Sequence, residues 1–341
     1  MTTPVTESAV KALLATESSI PLRTRFEGSN ICTWIGFKHI NYLVEEAVLV
    51  HFAQAGLSSR TLYAEHGLGV DLVHLDTRIL HALYLDETVT ARVAPTTPED
   101  GALITFTVAL HGERDGKDTK VAASRVKVAL RADSYVEPAG EPPAGLARFV
   151  TERLGTPAEG RALPGPPDLA GVLPEANTAL SAGRGTTGPD PVLAALTEGR
   201  NAFGWKWRIP YPYCHFSERL PMSGYLRQME EVVDLFLADR GLSVKRMLDE
   251  RRWIPACPYS QIRILDEALM EEDLYTVLTV EDVFKDFTYT SRFDCYVVRD
   301  GRLVQTATGK VTHGYAKIDN RRDWNLVTFD EQVSKALRGE A

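Results

Sequence analysis

The chain has 341 residues, of which 44% are hydrophobic and 25% are charged, and its formal net charge at pH 7 is −8. This composition is that of an ordinary globular protein with enough chain for two domains. The acidic balance excludes a protein that binds nucleic acid through phosphate contacts, because such binding needs a clustered excess of Lys and Arg.

The sequence also predicts the compartment. No apolar run approaches the length of a membrane span, and the first residues do not have the pattern of a signal peptide. The four cysteines are scattered, without a C-x-x-C pair, at Cys32, Cys214, Cys257 and Cys295. This spacing favours reduced thiols in a cytoplasmic protein over a disulfide framework or a zinc site.

The first folded unit is predicted over residues 21–136, after a lead-in of residues 1–20. Its one long helix is mostly apolar and ends at Gly56, a residue suited to a helix C-cap. An Asp115-Gly116 pair predicts a hairpin turn. The predicted helix is 41–55, and the predicted strands are 70–76, 88–93, 103–110 and 121–130. The unit is therefore one helix followed by an antiparallel meander.

Residues 137–201 have the composition of a linker. Ten of the nineteen prolines lie between Pro138 and Pro191, among many Gly and Ala residues. The segment predicts an extended connection, part of it lying over the surface, with short helical pieces at 146–154 and 192–196.

Residues 202–320 repeat the first unit. A constant shift of 185 residues places Glu45-Glu46 on Glu230-Glu231, Gly56 on Gly241, and Asp115-Gly116 on Asp300-Gly301. Chance matches would not keep register at both a helix end and a hairpin turn, so the pattern indicates an internal duplication. The tail, residues 321–341, has no counterpart and predicts a terminal helix at 331–337.

A single long helix followed by an antiparallel meander resembles the hot-dog fold, in which the sheet wraps around the helix. The resemblance implies an α+β protein with a tandem (double) hot-dog fold. It also implies that an active site forms where the two units meet.

The second unit contains the run His215-Phe216-x-x-Arg219-x-x-Met222-x-Gly224-x-Leu226. This run resembles the signature of the β-hydroxyacyl-ACP dehydratases of fatty acid synthesis, and of the related dehydratase domains of polyketide and polyunsaturated fatty acid synthases. The resemblance implies that the histidine is the catalytic base and that a helix carboxylate comes from the partner hot dog. It further implies that the glycine begins a helix whose N–H groups bind the thioester oxygen.

The run departs from the family pattern in two ways. Ser217 and Ser223 stand where the family usually has proline. The family's acid position is Met229 in the second unit and Val44 in the first, and each is followed by two glutamates. The helix acid is therefore either displaced by one residue or lost.

Dehydration of a β-hydroxyacyl thioester needs a base for the α-proton, an acid for the departing hydroxide, and donors to the thioester oxygen. His215 is the predicted base, and Glu45 or Glu46 of the first unit is the predicted acid, with Glu45 nearer the family position. The predicted substrate-binding residues at the helix start are Met222, Gly224 and Tyr225. The related second site would carry Asn30 in place of the histidine, so one active and one degenerate site are expected.

His39 and Asn41 resemble the His-x-Asn run at the helix start of hot-dog thioesterases, which makes His39 a further candidate for substrate binding. The aspartate that those enzymes usually carry four residues earlier is Ile35 here. His and acidic residues at metal-ligand spacing are lacking, and no Gly-rich dinucleotide loop follows a strand, so neither a metal nor another cofactor is expected.

The basic residues Lys245, Arg246, Arg251 and Arg252 follow the second long helix. Such a run is ordinarily a solvated face. It is also a candidate docking site for an acidic carrier protein or for a phosphopantetheine arm.

The sequence therefore predicts a dehydratase (hydro-lyase) that acts on acyl thioesters of an acyl carrier protein or coenzyme A, in polyketide or fatty acid biosynthesis. A double-bond isomerase is a variant of this reading, because it needs the same base and donors. The alternative is a thioesterase on the same fold, with Glu45 or Glu46 activating water or attacking the acyl carbon. A further alternative is a non-catalytic acyl-binding or scaffold protein. No nucleic-acid or membrane partner is expected, and the sequence leaves open whether a homodimer forms.

Overall fold

The computed structural model describes residues 6–155, 189–320 and 322–340. The chain divides into two compact units, Met1–Leu154 and Gly155–Ala341. Residues 156–188, the central part of the linker predicted at 137–201, lie outside the described residues.

In its described residues, the first unit contains three α-helices and six strands. The helices are α1 (Glu7–Ala15), α2 (Phe37–Gln54) and α3 (Ser59–His66); the strands are β1 (Ser18–Arg23), β2 (Leu68–Ile79), β3 (Thr88–Pro95), β4 (Ile104–Arg114), β5 (Lys117–Ala132) and β6 (Val150–Thr151). Within this unit the strand order is β1-β3-β4-β5-β2, with all neighbours antiparallel, and β6 runs parallel to β5.

The second unit has the same plan. Its helices are α4 (Pro191–Thr197), α5 (Met222–Asp239), α6 (Val244–Arg251) and α7 (Glu331–Arg338); its strands are β7 (Ala202–Arg208), β8 (Trp253–Ile264), β9 (Asp273–Phe284), β10 (Thr288–Arg299), β11 (Arg302–Asp319) and β12 (Asp323–Val327). The strand order within the unit is β7-β9-β10-β11-β8, all antiparallel, and β12 pairs with β11.

The elements of the two units coincide under the 185-residue shift. After this shift, the bounds of α2, α3 and β2 are identical to those of α5, α6 and β8. Irregularities repeat as well: the register shift between Leu110 and His111 in the β4–β5 pairing recurs between Cys295 and Tyr296 in the β10–β11 pairing. A bulge adds an unpaired residue and bends its strand, so its recurrence shows that the two sheets share local shape as well as strand order.

Each long helix packs one face against its own sheet. In α2 the buried positions include Ile40, Val44, Val48 and Phe52, a spacing of four residues that keeps them on one side. The helix begins at Phe37, four residues before the predicted start, because Phe37 and Ile40 extend the same apolar stripe. The core of each unit is therefore the space between its long helix and its sheet.

The hairpin turns form where the sequence predicts them. Asp115 and Gly116 have φ values of 51° and 73°, and Asp300 and Gly301 have values of 50° and 68°. Left-handed backbone at both central residues matches the twist of antiparallel strands, which explains the Asp-Gly pairs.

The predicted ends of the chain fold as helices. The lead-in forms α1, whose Leu13 is fully buried, and the tail forms α7 where a terminal helix is predicted. The helical piece predicted at 146–154 is instead a 3₁₀ helix, Ala144–Phe149, followed by β6. Strand pairing of Val150 with Leu130 ends the helical stretch. Among the described residues, no helix is long and apolar enough to span a membrane.

Candidate active site

The two long helices both begin without a side-chain cap. Neither Gly36 before α2 nor Pro221 before α5 provides a side chain that accepts a hydrogen bond from the first turn. The other five α-helices of the described chain are all capped, by Thr6, Ser58, Asp190, Ser243 and Asp330. Since the first N–H groups of a helix have no partner within the helix, these two starts are suited to bind a developing negative charge.

Glu45 lies in the middle of α2, one residue after the fully buried Val44. Its side chain is half-buried, whereas that of Glu46 is exposed. Burial, followed by the charges of Glu46 and Asp71, raises the pKa of Glu45 to about 7. A carboxyl group with this pKa exchanges its proton near neutral pH, as a general acid or base must.

Asp71 is a further candidate residue, which no motif of the sequence indicated. It lies on β2 and is near enough to Glu45 to contribute to the raised pKa of that carboxyl group. Asp71 lies within the strand predicted at 70–76, and its side chain is half-buried in the structure. Its counterpart in the second unit is Ala256, so the Glu45–Asp71 carboxyl pair belongs to the first unit alone.

His215 lies in an exposed loop directly before α5. Its Nε2 is 3.4 Å from the Oγ of Ser223, the second residue of the helix. Glu218 in the same loop has a φ of 58°, and its counterpart Thr33 has a φ of 62°. The two loops therefore follow the same path, and in the second unit the path brings the imidazole to the start of α5.

The other residues of the second-unit motif have packing roles. Met222 and Tyr225 are buried in the core, at 2% and 0% exposure. Gly224 donates its N–H to the Pro221 carbonyl, and a Cβ at this position would come within 3.0 Å of Leu220 Cγ. Donors to a ligand at this helix start would therefore come from positions earlier in the first turn than Gly224.

Arg219, the arginine of the motif, is buried at 5% exposure, with its Nε 4.0 Å from Glu267 Oε1. Its backbone forms an isolated bridge to Leu269. The Arg219–Glu267 ion pair and this bridge hold the loop that contains His215 against the segment before β9.

His39 is buried in the first turn of α2. A Cβ on Gly28 would lie 2.7 Å from His39 Cγ, so the imidazole occupies the space beside this glycine. In the second unit the small and the large side chain are exchanged: Gly28 corresponds to Tyr213, and His39 corresponds to Gly224. The Nε2 of His39 is 3.7 Å from an oxygen of Glu27.

Asn30, the counterpart of His215, is exposed in its loop, and its Oδ1 accepts the N–H of Ile31. Asn30 therefore stabilises a turn with its own side chain. Its predicted place in a degenerate second site stays a prediction, as does the pairing of His215 with a carboxylate of the first unit.

A buried polar network fixes the start of α2. Asn41 donates through Nδ2 to the Phe37 carbonyl at 2.9 Å and accepts the hydroxyl of Thr77 at 2.6 Å. The Thr77 hydroxyl is also 2.9 Å from that of Ser124. The corresponding residues of the second unit, Leu226, Ile262 and Gly309, carry no polar side chain, so this network is specific to the helix that carries Glu45.

The four basic residues near α6 are all paired with acidic residues of the second unit. The partners are Asp249 for Lys245, Glu250 for Arg246, Glu250 and Asp330 for Arg251, and Asp319 for Arg252. A carrier protein would have to exchange these partners for its own carboxylates, so carrier docking here stays a prediction. In the described parts of the chain, no group of three or more His, Cys, Asp and Glu residues could hold a metal ion.

No protein-family model matches this sequence, and no curated protein sequence matches it significantly. Solved structures do resemble it. A proposed oleoyl thioesterase from Lactobacillus plantarum is 10% identical, with a TM-score of 0.54, covering 88% of this chain and 95% of that one.

Two further structures resemble the chain over similar lengths. The 12:0-ACP thioesterase from Umbellularia californica is 8% identical, with a TM-score of 0.53, covering 91% of this chain and 97% of that one. An acyl-ACP thioesterase from Bacteroides thetaiotaomicron is 11% identical, with a TM-score of 0.50, covering 87% and 97%. At these identities the likeness shows the fold alone: the chain has the hot-dog fold that these proteins have.

Proposed function

We propose that this protein is a thioesterase built from two hot-dog units in one chain, which hydrolyses acyl thioesters of an acyl carrier protein or coenzyme A. The observation that carries the proposal is the half-buried Glu45 beside Asp71, with its pKa raised to about 7. The resemblance of nearly the whole chain to acyl-ACP thioesterases supports hydrolysis over the dehydratase reading.

In the proposed reaction, the Glu45 carboxylate removes a proton from water while the water oxygen attacks the thioester carbonyl carbon. The C–S bond of the tetrahedral intermediate then breaks. The protonated Glu45 returns the proton to the departing thiolate, so that free acid and thiol are the products. Burial, followed by the charges of Glu46 and Asp71, holds the pKa of Glu45 high enough to accept the proton near neutral pH.

The uncapped start of a long helix would bind the oxygen of the tetrahedral intermediate. Backbone N–H groups at such a start, together with the helix dipole, stabilise the negative charge that develops on this oxygen. The Asn41–Thr77 bond contributes by holding the first turn of α2 in place on the sheet.

The direct test is thiol release from a series of acyl-coenzyme A and acyl-pantetheine thioesters of increasing chain length. We expect Glu45→Gln to lower kcat by about a hundredfold or more, because a general base contributes a factor of this size. Glu46→Gln is the matched control, since it removes an equal charge from the adjacent exposed position, and its kcat should stay within a few-fold of wild type. Equal losses in both variants would contradict the assignment of Glu45.

The pH dependence distinguishes hydrolysis from dehydration. A general base acts when deprotonated, so kcat/KM of a thioesterase should rise with pH and level off above about 7, the pKa of Glu45. In a dehydratase Glu45 would be the general acid, and kcat/KM should fall above the same pH. A profile that falls through neutrality would reverse our assignment.

A dehydratase is the second candidate, favoured by the position of His215 beside Ser223 at the start of α5. In that reaction His215 removes the α-proton, and protonated Glu45 gives a proton to the departing hydroxyl group. Mass spectrometry of β-hydroxyacyl thioesters separates the two candidates, since dehydration removes water and leaves the thioester intact. Loss of water that disappears in His215→Ala would establish the second candidate.

Carrier docking at the basic residues of α6 is tested by reversing the charges of Lys245, Arg246, Arg251 and Arg252. If a carrier protein binds there, the variant should show a raised KM for acyl-carrier-protein substrates, most clearly at low salt. Its KM for pantetheine thioesters should not change. Identical KM values for the carrier substrate in both proteins would remove this surface from consideration.

A further inference from the structure

Among the hydroxyl groups of the second unit that have no hydrogen-bond partner within the described residues, three lie on two neighbouring strands. They belong to Tyr289, Ser291 and Tyr315, whose exposures are 1%, 0% and 1%. Tyr289 and Ser291 lie two residues apart on β10 and so point to the same face of the sheet, and Tyr315 lies on the neighbouring strand β11. A buried hydroxyl without a partner destabilises the folded state, so three on neighbouring strands need an explanation.

These residues lie close together. Tyr289 and Tyr315 both pack edge-on against Phe329, with ring centroids 6.4 Å and 5.7 Å from it. His313 stacks on Tyr289 at 5.5 Å. We call Cys257, Tyr289, Ser291, His313 and Tyr315 the tyrosine cluster. Its two phenol groups share a neighbour but do not hydrogen-bond to each other.

The first unit provides an internal comparison. Under the 185-residue shift, the five residues of the tyrosine cluster correspond to Leu72, Ile104, Phe106, Val128 and Leu130, which are all buried and apolar. The fold therefore forms the same strands around a purely apolar core at these positions. The polar groups of the second unit are not required by the fold.

The tyrosine cluster is uncharged. Burial lowers the pKa of His313 to about 4, so its imidazole is neutral at physiological pH. Burial, followed by the nearby Tyr315 and Cys257, holds the pKa of Tyr289 well above its usual value. Burial also raises the pKa of the Cys257 thiol, with a smaller contribution from the charge of Glu230. An ionised ligand would find no opposite charge in the tyrosine cluster, whereas a neutral oxygen would find several donors.

We propose that the tyrosine cluster binds a neutral oxygen function, a hydroxyl or keto group, on the acyl chain of the substrate. Phenol and serine hydroxyls can each donate to or accept from such an oxygen, and the surrounding rings of Phe329 and His313 would pack against the hydrocarbon part. The inference rests on the proposed thioesterase function and narrows its substrate class from plain to oxygenated acyl thioesters.

The test measures binding separately from turnover. Decanoyl-pantetheine, and its derivatives with one hydroxyl placed at each chain position in turn, are titrated calorimetrically into the Glu45→Gln variant. We expect one hydroxylated chain to bind about tenfold more tightly than the plain chain, the value of one net hydrogen bond. This preference should disappear when Tyr289→Phe and Tyr315→Phe are added to the variant.

The Phe substitutions keep each ring and remove only an oxygen, and thermal unfolding checks that the protein remains folded. Tyr63→Phe is the matched control, because its hydroxyl already donates to Asp133 at 3.0 Å in the first unit, and it should keep the preference. Should the double variant not fold, Ser291→Ala tests the same preference with a smaller change.

The outcomes separate the two proposals. Equal binding of plain and hydroxylated chains would show that the tyrosine cluster holds internal water alone and would overturn the inference, whatever the rate of hydrolysis. A hydroxyl preference that survives both Phe substitutions would also overturn it. A preference that the Phe substitutions abolish, in a protein that hydrolyses none of these thioesters, would support the tyrosine cluster and reject the thioesterase.

Discussion

Glu45 and Glu46 are adjacent and chemically identical, yet the structure gives them different environments. Successive helix residues point about 100° apart, so the face that buries Val44 and Val48 half-buries Glu45 and leaves Glu46 in solvent. Only a buried carboxyl group loses enough hydration for its pKa to rise toward neutrality. A shift of one position along the helix thus separates Glu45, a candidate for proton transfer, from Glu46, an ordinary surface charge.

The raised pKa of Glu45 has a consequence for stability. The folded protein holds this proton up to about pH 7, whereas the unfolded chain releases it near the usual value of 4.5. Between these pH values the folded state binds more protons, so wild-type stability falls as pH rises through the window. We expect Glu45→Gln to match wild type near pH 4.5 and to exceed it by on the order of 2 kcal/mol at pH 8.

Urea unfolding at a series of pH values measures this effect, with Glu46→Gln as the control of equal charge change. Because the charge of Glu46 is one cause of the raised pKa of Glu45, Glu46→Gln should show only a smaller gain of the same sign. If Glu45→Gln gained no stability between pH 4.5 and pH 8, the carboxyl group would be ordinary and the proposed general base would lose its main support.

At the scale of elements, α4 shows how a short helix is held in place. Asp190 caps it, since its Oδ1 accepts the N–H groups of Val192 and Leu193. Its other oxygen is 3.6 Å from the Nζ of the fully buried Lys206, which also lies 3.2 Å from Asp273. The apolar residues of α4 pack against Tyr275, Val277, Tyr296 and Leu303. A helix of seven residues is too short to be stable alone, so these contacts are what keep it folded.

We predict that the two contributions of Asp190 can be separated. Asp190→Asn keeps a capping side chain and removes the charge that faces Lys206, whereas Asp190→Ala removes both. Both variants should be destabilised, because a buried ammonium group loses one of its partners. Asp190→Ala should be less stable than Asp190→Asn by a further ~1 kcal/mol, the usual contribution of an N-cap.

Chemical denaturation of the two variants provides the comparison, and Asp249→Ala in α6 is a control that alters only an exposed ion pair, with Lys245. Equal stabilities of Asp190→Asn and Asp190→Ala would show that the cap contributes nothing to α4.

At the scale of the whole molecule, one chain carries two similar units whose site-forming residues have diverged. The first unit has the Glu45–Asp71 pair and the Asn41 network, and the second has His215 and the tyrosine cluster. Each unit lacks a polar group that the other has. Ala256 of the second unit corresponds to Asp71, and Asn30 of the first unit corresponds to His215. The two units therefore carry different polar groups on the same arrangement of helices and strands.

A double-mutant cycle tests whether the two units serve one reaction. If Glu45 and His215 act in the same step, Glu45→Gln and His215→Ala together should lower kcat/KM by little more than the worse single variant. Losses that multiply would show that the two residues act independently, and would contradict the predicted pairing of His215 with a first-unit carboxylate. Ser217→Ala combined with Glu45→Gln is the control for a change elsewhere in the same loop.

The sequence by itself determined the fold class and the repeat. Helix periodicity, Asp-Gly turns and a constant 185-residue shift are local patterns, and local patterns follow from backbone geometry that every residue carries with it. For this reason the long helices, the hairpins and the terminal helix could be predicted, with errors of a few residues at their ends. The motif around His215 also indicated a candidate site, because spacing along the chain is itself part of that signal.

Only the tertiary structure decided which polar residues are buried and which groups they lie beside. In the sequence these four are ordinary residues of strands: Asp71, Tyr289, Ser291 and Tyr315. The packing of distant helices and strands then buries Asp71 in part and the other three completely. Burial and charge neighbours depend on contacts between residues far apart in the chain, and these contacts set pKa values and leave hydroxyls without partners. The chemistry proposed for this protein depends on those contacts.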